Sequence, residues 1–420
     1  MEQRKLYKTL DNILKQAPTY DKNEDLLKYV IQQIINSVDL HIQGGRLWKI
    51  NQQKDGYRII EQIGEVKPIA KNFSFKVKNY VQTQRFDKRR AFIDVETDSY
   101  LKSKGIHLYS AAGVGERIKS KIKINKTPEV VYLYPYLIAF NGKHVDEEFL
   151  NDLNIISVTI SSVLKSRRIE DRAKENIVEL EKASEIQKSI LPEHEILFGD
   201  YDIFGISMPE LIVGGDFFDY LNTGDDFKLS VAIADAASKG VSAAAQALYV
   251  SGALKMGVNY DVSMTGLIKK INDLVYDTFP NERFVTLFYC ELYKDKRGLC
   301  VYVNAGHNAP FHYISKTGEV EALGSTGPVL GPSANQNYKT DSIYMDKDDI
   351  LVLYTDGLVE AANSEFKFFG EEKLIEIIKK HKSMSAKELC QKILQEVITF
   401  NVNGKYSDDK TIVVIKKIKK

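Results

Sequence analysis

Residues 348–360 read DDILVLYTDGLVE, an apolar run over 350–354 that stops at Thr355-Asp356-Gly357. The run reads as a strand and Asp-Gly as its turn, so Asp356 sits where aliphatic surface gives way to a tight bend. A carboxylate against an aliphatic run is costly to bury unless it meets a cation. The same pattern recurs in VGGDFFDY (213–220), LSVAIADAASKG (229–240) and YSDDKTIVVIKK (406–417). The runs at Asp235 and Asp356 end in their aspartate, whereas Asp216 and Asp408 precede theirs. In an antiparallel sheet, strands ending at one rim lie beside strands starting there. All four carboxylates can therefore reach one rim.

Working outward, short strand-like runs dominate from about 200 to 418: YDIFGISM (201–208), RFVTLFYCELY (283–293), GLCVYVNAG (298–306), PFHYIS (310–315) and KTIVVIKKI (410–418). Helical stretches are interleaved in blocks, at 241–257, 264–279, 371–383 and 385–400. Consecutive strands joined by short turns, with helices inserted in blocks, predict a sandwich of antiparallel sheets flanked by helices. The fold class of the chain is α+β.

At 420 residues the chain is too long for one typical core, so two domains and a connector are expected. A net charge of +1 gives no field that would favour nucleic acid or an anionic membrane. No apolar run approaches the roughly 20 residues of a membrane span, and MEQRKLYKTLDN lacks the apolar core of a secretion signal. Cys290, Cys300 and Cys390 form no CxxC pair, which argues against a disulfide framework or a zinc site; Cys290 and Cys300 read as small apolar strand residues. A cytoplasmic location is expected, without membrane or nucleic-acid partners.

In the N-terminal part, Leu26, Leu27, Val30, Ile34, Ile35 and Val38 recur at helical spacing. RLWKINQQKDGYRIIEQIG (46–64) reads as a hairpin turning at Asp55-Gly56. PEVVYLYPYLIAF (128–140), Asn141-Gly142 and a helix through EEFLNDLNIISVTISSVLKS (147–166) close the segment. This order resembles a GAF domain, most closely in GGRLWKI (44–50) and YLIAFNGKHVDEEFLNDLNIISVTISSVL (136–164). The basic and aromatic stretch KNFSFKVKNYVQTQRFDKRR (71–90) is read as a half-exposed strand rather than a nucleic-acid surface. Beyond it, Ile169, Ala173, Ile177, Leu180, Ala183, Ile186 and Ile190 are three or four residues apart, close to the coiled-coil period, until Pro192 stops the pattern. The expected division is a regulatory domain over 1–165, a helical linker over 166–192 and a third region over 193–420. The linker, with or without the N-terminal domain, is a candidate surface for a homodimer.

Clustered carboxylates repel one another and have raised pKa values unless cations neutralise them. Oxygen-only ligands suit Mg²⁺ or Mn²⁺, and two such ions can share a bridging water and hold a phosphoryl group for in-line attack. Taken singly, Asp356-Gly357 is an ordinary turn and Asp408-Asp409 a solvated strand start. Asp216 stands out because Gly214-Gly215 lets the backbone approach a ligand closely. His307, in NAGHNAP, is read as a neutral structural histidine, with a substrate or proton-transfer role as the alternative. Asn304 and Asn308 are candidates to fix its loop. Lys239 either faces phosphate or is solvated.

The ordered blocks VGGDFFDY, ADAASKGVSAAAQAL, RFVTLFYCEL, NAGHNAPFHY, GPVLG, LVLYTDGLVEAAN, FGEEKL and SDDKTIVVI resemble those of SpoIIE-type PPM protein serine/threonine phosphatases. ASEIQKSILP (183–192) is similar to the segment that introduces this domain in RsbU-like stress-response regulators. The resemblance covers about residues 180–418. It implies that Asp216, Asp235, Asp356 and Asp408, with the backbone carbonyl of Ala236, ligate two Mn²⁺ or Mg²⁺ ions; Asp409 replaces Asp408 if the match slips by one. It also implies a phosphorylated STAS-domain protein, an anti-sigma-factor antagonist, as substrate. One block departs: where the family has D-V-S-G-K-G this chain has Asp235-Ala236-Ala237-Ser238-Lys239-Gly240, so Ser238 replaces a glycine. A catalytically weak binding module of the same fold is the alternative that this change motivates.

Overall fold

The computed structural model describes residues 3–36, 42–79, 86, 89–124, 127–142, 145–222, 224, 226–260, 262–279, 284–402, 404 and 406–419. The chain divides into two compact units, Met1–Glu175 and Asn176–Lys420.

The first unit opens with helices α1 (Gln3–Gln16) and α2 (Asn23–Ile35). Strands β1 (Ile42–Ile50), β2 (Gly56–Gly64), β3 (Ser74–Lys76) and β4 (Ala91–Val95) follow, then helix α3 (Ser99–Ser103). Strands β5 (Leu108–Val114), β6 (Ile118–Ile124), β7 (Thr127–Leu133) and β8 (Tyr136–Gly142) lead to helix α4 (Glu147–Ile190). Six strands form one antiparallel sheet, ordered β3-β2-β1-β8-β5-β4, and β6 pairs with β7 apart from it. Leu26, Leu27, Val30, Ile31 and Ile34 of α2 join Phe149, Leu153, Ile156 and Ile160 of α4 in a core with Leu47, Ile138 and Phe140. Trp48, Tyr57, Phe92, Leu137 and Ala139 belong to a second core. Trp48 and Leu137 alternate with Leu47 and Ile138, as the two-residue side-chain period of a strand requires.

The expected two-residue turn at Asp55-Gly56 is longer: β1 ends at Ile50 and Gly56 already opens β2. Asn51 organises this loop, its Oδ1 accepting the N–H groups of Asp55 and Gly56 at 3.0 and 3.3 Å. Val38, assigned to the first amphipathic helix, lies outside the described residues, as do 80–85, 87 and 88 of the basic and aromatic stretch. The described part of that stretch holds only the short strand β3 and a 3-10 turn over Val77–Asn79. The closing helix and the linker are not separate elements. Without Gly or Pro to interrupt it, α4 runs unbroken for 44 residues, and the division between units falls within it.

The second unit continues with β9 (Glu195–Phe198), β10 (Tyr201–Met208), β11 (Phe217–Leu221) and β12 (Lys228–Ala236), then helices α5 (Val241–Gly257) and α6 (Met264–Thr278). Strands β13 (Val285–Tyr293), β14 (Leu299–Ala305), β15 (Phe311–Ile314), β16 (Glu319–Ala322), β17 (Asp341–Tyr344) and β18 (Ile350–Tyr354) follow. Helices α7 (Asp356–Val359), α8 (Glu371–Lys380) and α9 (Ala386–Phe400) precede the last strand, β19 (Lys410–Lys417). One sheet is ordered β16-β15-β18-β19-β10-β9 and the other β11-β12-β13-β14-β17.

Alternation along the strands builds the layers. Leu351 and Leu353 of β18 meet Val231 and Ile233 of β12 in the core between the sheets, with Phe288, Val413 and Ile415. Their neighbours Ile350, Val352 and Tyr354 face outward to Leu374, Ile378, Leu389 and Ile393 of α8 and α9. On the other side Ala232 and Ala234 meet Ala243, Ala247 and Val250 of α5; small residues on both surfaces let this helix lie close to the sheet. The expected antiparallel sandwich with helices on its outer faces is the observed one. Cys290, Cys300 and Cys390 are free, buried thiols packed as apolar residues.

Candidate functional site: a carboxylate rim

Each sheet sends two aspartates to the same rim. In one, Asp216 immediately precedes β11 and Asp235 lies at the end of β12; the register pairs Phe217 with Ala234, which sets the two acids opposite each other. In the other, Asp356 follows β18 and Asp408 precedes β19, with Tyr354 paired to Ile412. Asp356 opens the short helix α7 rather than a hairpin turn.

The four acids interact. Asp216 is 4% exposed, and burial, reinforced by Asp235, pushes its carboxyl well above the usual range. The Asp235 carboxyl is pushed up to about 7, first by burial and then by Asp356 and Asp408. Asp356 is also raised, by burial and then by Glu360 and Asp408. Such a cluster is self-repelling, and added positive charge would relieve it. Part of that charge comes from Lys239, whose ammonium lies 2.8 Å from Asp408 Oδ2 and donates to the Ser407 carbonyl at 3.2 Å. Of the two expected settings for Lys239, the exposed one is observed, with a carboxylate contact added to it.

Neighbours fix the acids. The Thr355 hydroxyl donates to Asp216 Oδ2 at 2.6 Å and in turn accepts the Thr411 N–H at 3.0 Å, which ties β18 and β19 to the aspartate of the opposite sheet. Asp409 is used differently from Asp408: its carboxylate accepts the N–H groups of Gly215 and Glu210 at 2.6 and 2.7 Å. It braces the loop before Asp216, while Asp408 acts on Asp235 and Asp356. A Cβ built on Gly215 would stand 3.2 Å from the Ala236 carbonyl, and one on Gly214 would stand 2.8 Å from Asp409 Oδ2. The two glycines thus admit close backbone approach, to Ala236 and Asp409.

His307 is buried, and burial pushes its imidazole down to about 4, so it is neutral near pH 7. Its Nδ1 lies 2.8 Å from the Thr286 hydroxyl, which donates to the Asp235 carbonyl at 3.3 Å. Asn304 accepts the His307 N–H and donates to its carbonyl. The structural reading of His307 and Asn304 holds. Ser238 does not adopt a positive φ, and its hydroxyl accepts from Gln246 Nε2 at 3.0 Å. The glycine-to-serine departure therefore carries no backbone strain.

Three residues that bind through side-chain hydroxyl or amide groups were not singled out by the sequence: Thr355, Thr286 and Gln187. Thr355 adjoins Asp356 in the decisive stretch, but only pairing with a distant strand reveals its partner. Asp219, in the same VGGDFFDY block, is buried and paired with Lys255 at 3.0 Å.

Among the described residues no three His, Cys, Asp or Glu side chains already converge as a metal cage. The donor set nevertheless fits hard divalent cations. It is all oxygen, lies at the ends of two sheets, and is destabilised by its own negative charge.

Residues 225–417 match the family model described as "Stage II sporulation protein E (SpoIIE)". The chain is 28% identical over 243 residues to "Phosphoserine phosphatase RsbU" of Bacillus subtilis (strain 168), a match covering 57% of this chain and 70% of that protein. It is 29% identical over 268 residues to "Protein IcfG" of Synechocystis sp., covering 57% of this chain and 42% of that protein. Among solved structures, the SiaA-PP2C domain of Pseudomonas aeruginosa aligns with a TM-score of 0.49 and 19% identity, over 58% of this chain and 98% of that one. The similarity to the SpoIIE family therefore lies within the second unit of this chain, over residues 225–417.

Proposed function

We propose that the chain is a metal-dependent phosphoserine/phosphothreonine protein phosphatase. The observation that carries this reading is the rim itself: two aspartates from each sheet, mutually repelling and partly buried, where a soft or covalent catalyst is absent from the set. The match to the SpoIIE family and the similarity to a protein named as a phosphoserine phosphatase support it.

Asp216, Asp235, Asp356 and Asp408, with the Ala236 carbonyl, would hold two Mn²⁺ or Mg²⁺ ions. Such ions, when bound, supply an activated water and neutralise phosphoryl oxygens. The chain's own groups prepare that chemistry. Thr355 holds Oδ2 of Asp216. Asp409 braces the Gly215 backbone. His307 stays neutral and supports the end of β12 through Thr286. Overall, water adds to phosphorus and the serine or threonine alkoxide leaves with a proton, so no protein nucleophile is consumed.

The finer parts of the reading are a phosphorylated STAS-domain antagonist as substrate and control by a GAF-like N-terminal domain. Homodimerisation through α4 is supported by the exposure of Ile169 and Ile177 at helical spacing. No helix among the described residues is long and apolar enough to cross a membrane.

The test is hydrolysis of a phosphoserine peptide by the full chain in Mn²⁺, with and without chelator, beside Asp216→Ala and Asp356→Ala. Activity that survives chelation and both substitutions rejects the metal mechanism. A binding module of the same fold is favoured by the lack of a ready-formed cage; calorimetry showing no millimolar or tighter Mn²⁺ binding would select it.

A further inference from the structure

Asp216 sits on a loop that cannot position itself. The two residues before it, Gly214 and Gly215, have no side chains to anchor them, and glycine is the residue with the most backbone freedom to lose. Asp409 braces this loop at Gly215 and Glu210. The second brace comes from the last turn of α4. Gln187, 9% exposed, donates from Nε2 to the Gly214 carbonyl at 2.7 Å and accepts the Gly214 N–H on Oε1 at 3.1 Å.

A side-chain amide that serves both backbone groups of one residue imitates a strand partner. It fixes the peptide planes on both sides of that residue, not merely its distance. Only a group with a donor and an acceptor at the same reach can do this. Glutamate would set a carboxylate against the Gly214 carbonyl, and asparagine is one methylene shorter.

The same turn also reaches the other flank of Asp216. The Ile190 carbonyl accepts from Lys255 Nζ at 2.8 Å, and that ammonium pairs with the buried Asp219 of β11 at 3.0 Å. Leu191 packs beside it against the α5–α6 core. Residues 187–190 are therefore bonded two positions before Asp216 and, through Lys255, three positions after it.

We propose that Gln187 is a positioning residue for Asp216: by clamping Gly214 from the end of α4, it holds the Asp216 carboxylate in the orientation that a divalent cation needs. This rests on reading Asp216 as a metal ligand. Groups that orient ligands typically change metal affinity 10–100-fold when removed.

The test uses the full chain with Gln187→Ala and Gln187→Glu. Hydrogen exchange of the metal-free protein reads the clamp directly. Amides of the 209–216 segment are expected to exchange at least about 10-fold faster in Gln187→Ala, with a smaller increase in Gln187→Glu, which retains the acceptor for the Gly214 N–H. Calorimetric Mn²⁺ affinity is expected to fall about 10–100-fold in Gln187→Ala, while hydrolysis of a phosphoserine peptide at saturating Mn²⁺ falls far less. Unchanged exchange over 209–216, or unchanged Mn²⁺ affinity beside a merely lowered melting temperature, would overturn the proposal. If Gln187→Ala does not fold, Gln187→Glu decides by the same readouts. A wild-type chain that binds Mn²⁺ but hydrolyses no phosphopeptide would reject the phosphatase reading while exchange and affinity still judge the clamp.

Discussion

Asp235 has much to gain from a bound cation. Its carboxyl is pushed up to about 7 by burial and by Asp356 and Asp408, whereas in an unfolded chain it would titrate near about 3.9. Between those values the folded, metal-free protein holds a proton that the unfolded chain has released. Stability therefore falls as pH rises from about 4 to about 7, and the loss is complete above the folded value. Thermal melts with chelator should show this slope, and Asp235→Asn should flatten it. Adding Mn²⁺ at neutral pH should restore stability to the wild type and much less to Asp235→Asn. Thr355 offers a second test at this scale. Thr355→Val removes the hydroxyl that holds Asp216 Oδ2 at nearly constant shape, so Mn²⁺ affinity should drop about 10–100-fold with little change in fold by circular dichroism. An unchanged affinity would mean that Asp216 needs no such support.

At the scale of elements, the apolar run of 350–354 and the alternation in β12 and β19 were legible because strand periodicity is local. The helices of the second unit were legible for the same reason. The sequence marked a helix beginning at Ser385, and the structure adds a reciprocal capping box, Ser385 with Glu388. Because α9 covers the outer core through Leu389, Ile393 and Val397, Ser385→Ala should cost about 1 kcal/mol in chemical denaturation without altering metal binding. The four rim aspartates were also found from strand polarity, since direction along a run survives in the sequence. Their braces were not. Gln187, Thr355 and Asp409 act through partners 27, 139 and 194 residues away, and no local pattern encodes such a pairing. Ser238 brings no backbone strain for a related reason: a family glycine need not mean that this chain adopts a left-handed backbone, and here Gln246 accommodates the hydroxyl. The unbroken α4 shows the opposite case, since the absence of Gly and Pro was visible but the junction of two assigned segments concealed it.

For the whole molecule, the proposed function has the two sheets of the second unit bring their aspartates together to hold divalent cations for phosphoester hydrolysis. The sandwich makes this possible, because two antiparallel sheets deliver four dispersed carboxylates to one rim without any shared local motif. The most direct measurement pairs two readings on the same full-length protein: Mn²⁺ binding by calorimetry and Mn²⁺-dependent hydrolysis of a phosphoserine peptide, for wild type and Asp235→Asn. The expected result is millimolar or tighter binding, hydrolysis abolished by chelator, and a loss of about 100-fold or more in both affinity and rate in Asp235→Asn. Hydrolysis that persists in chelator and in Asp235→Asn, or a wild-type protein that binds no Mn²⁺, would contradict it.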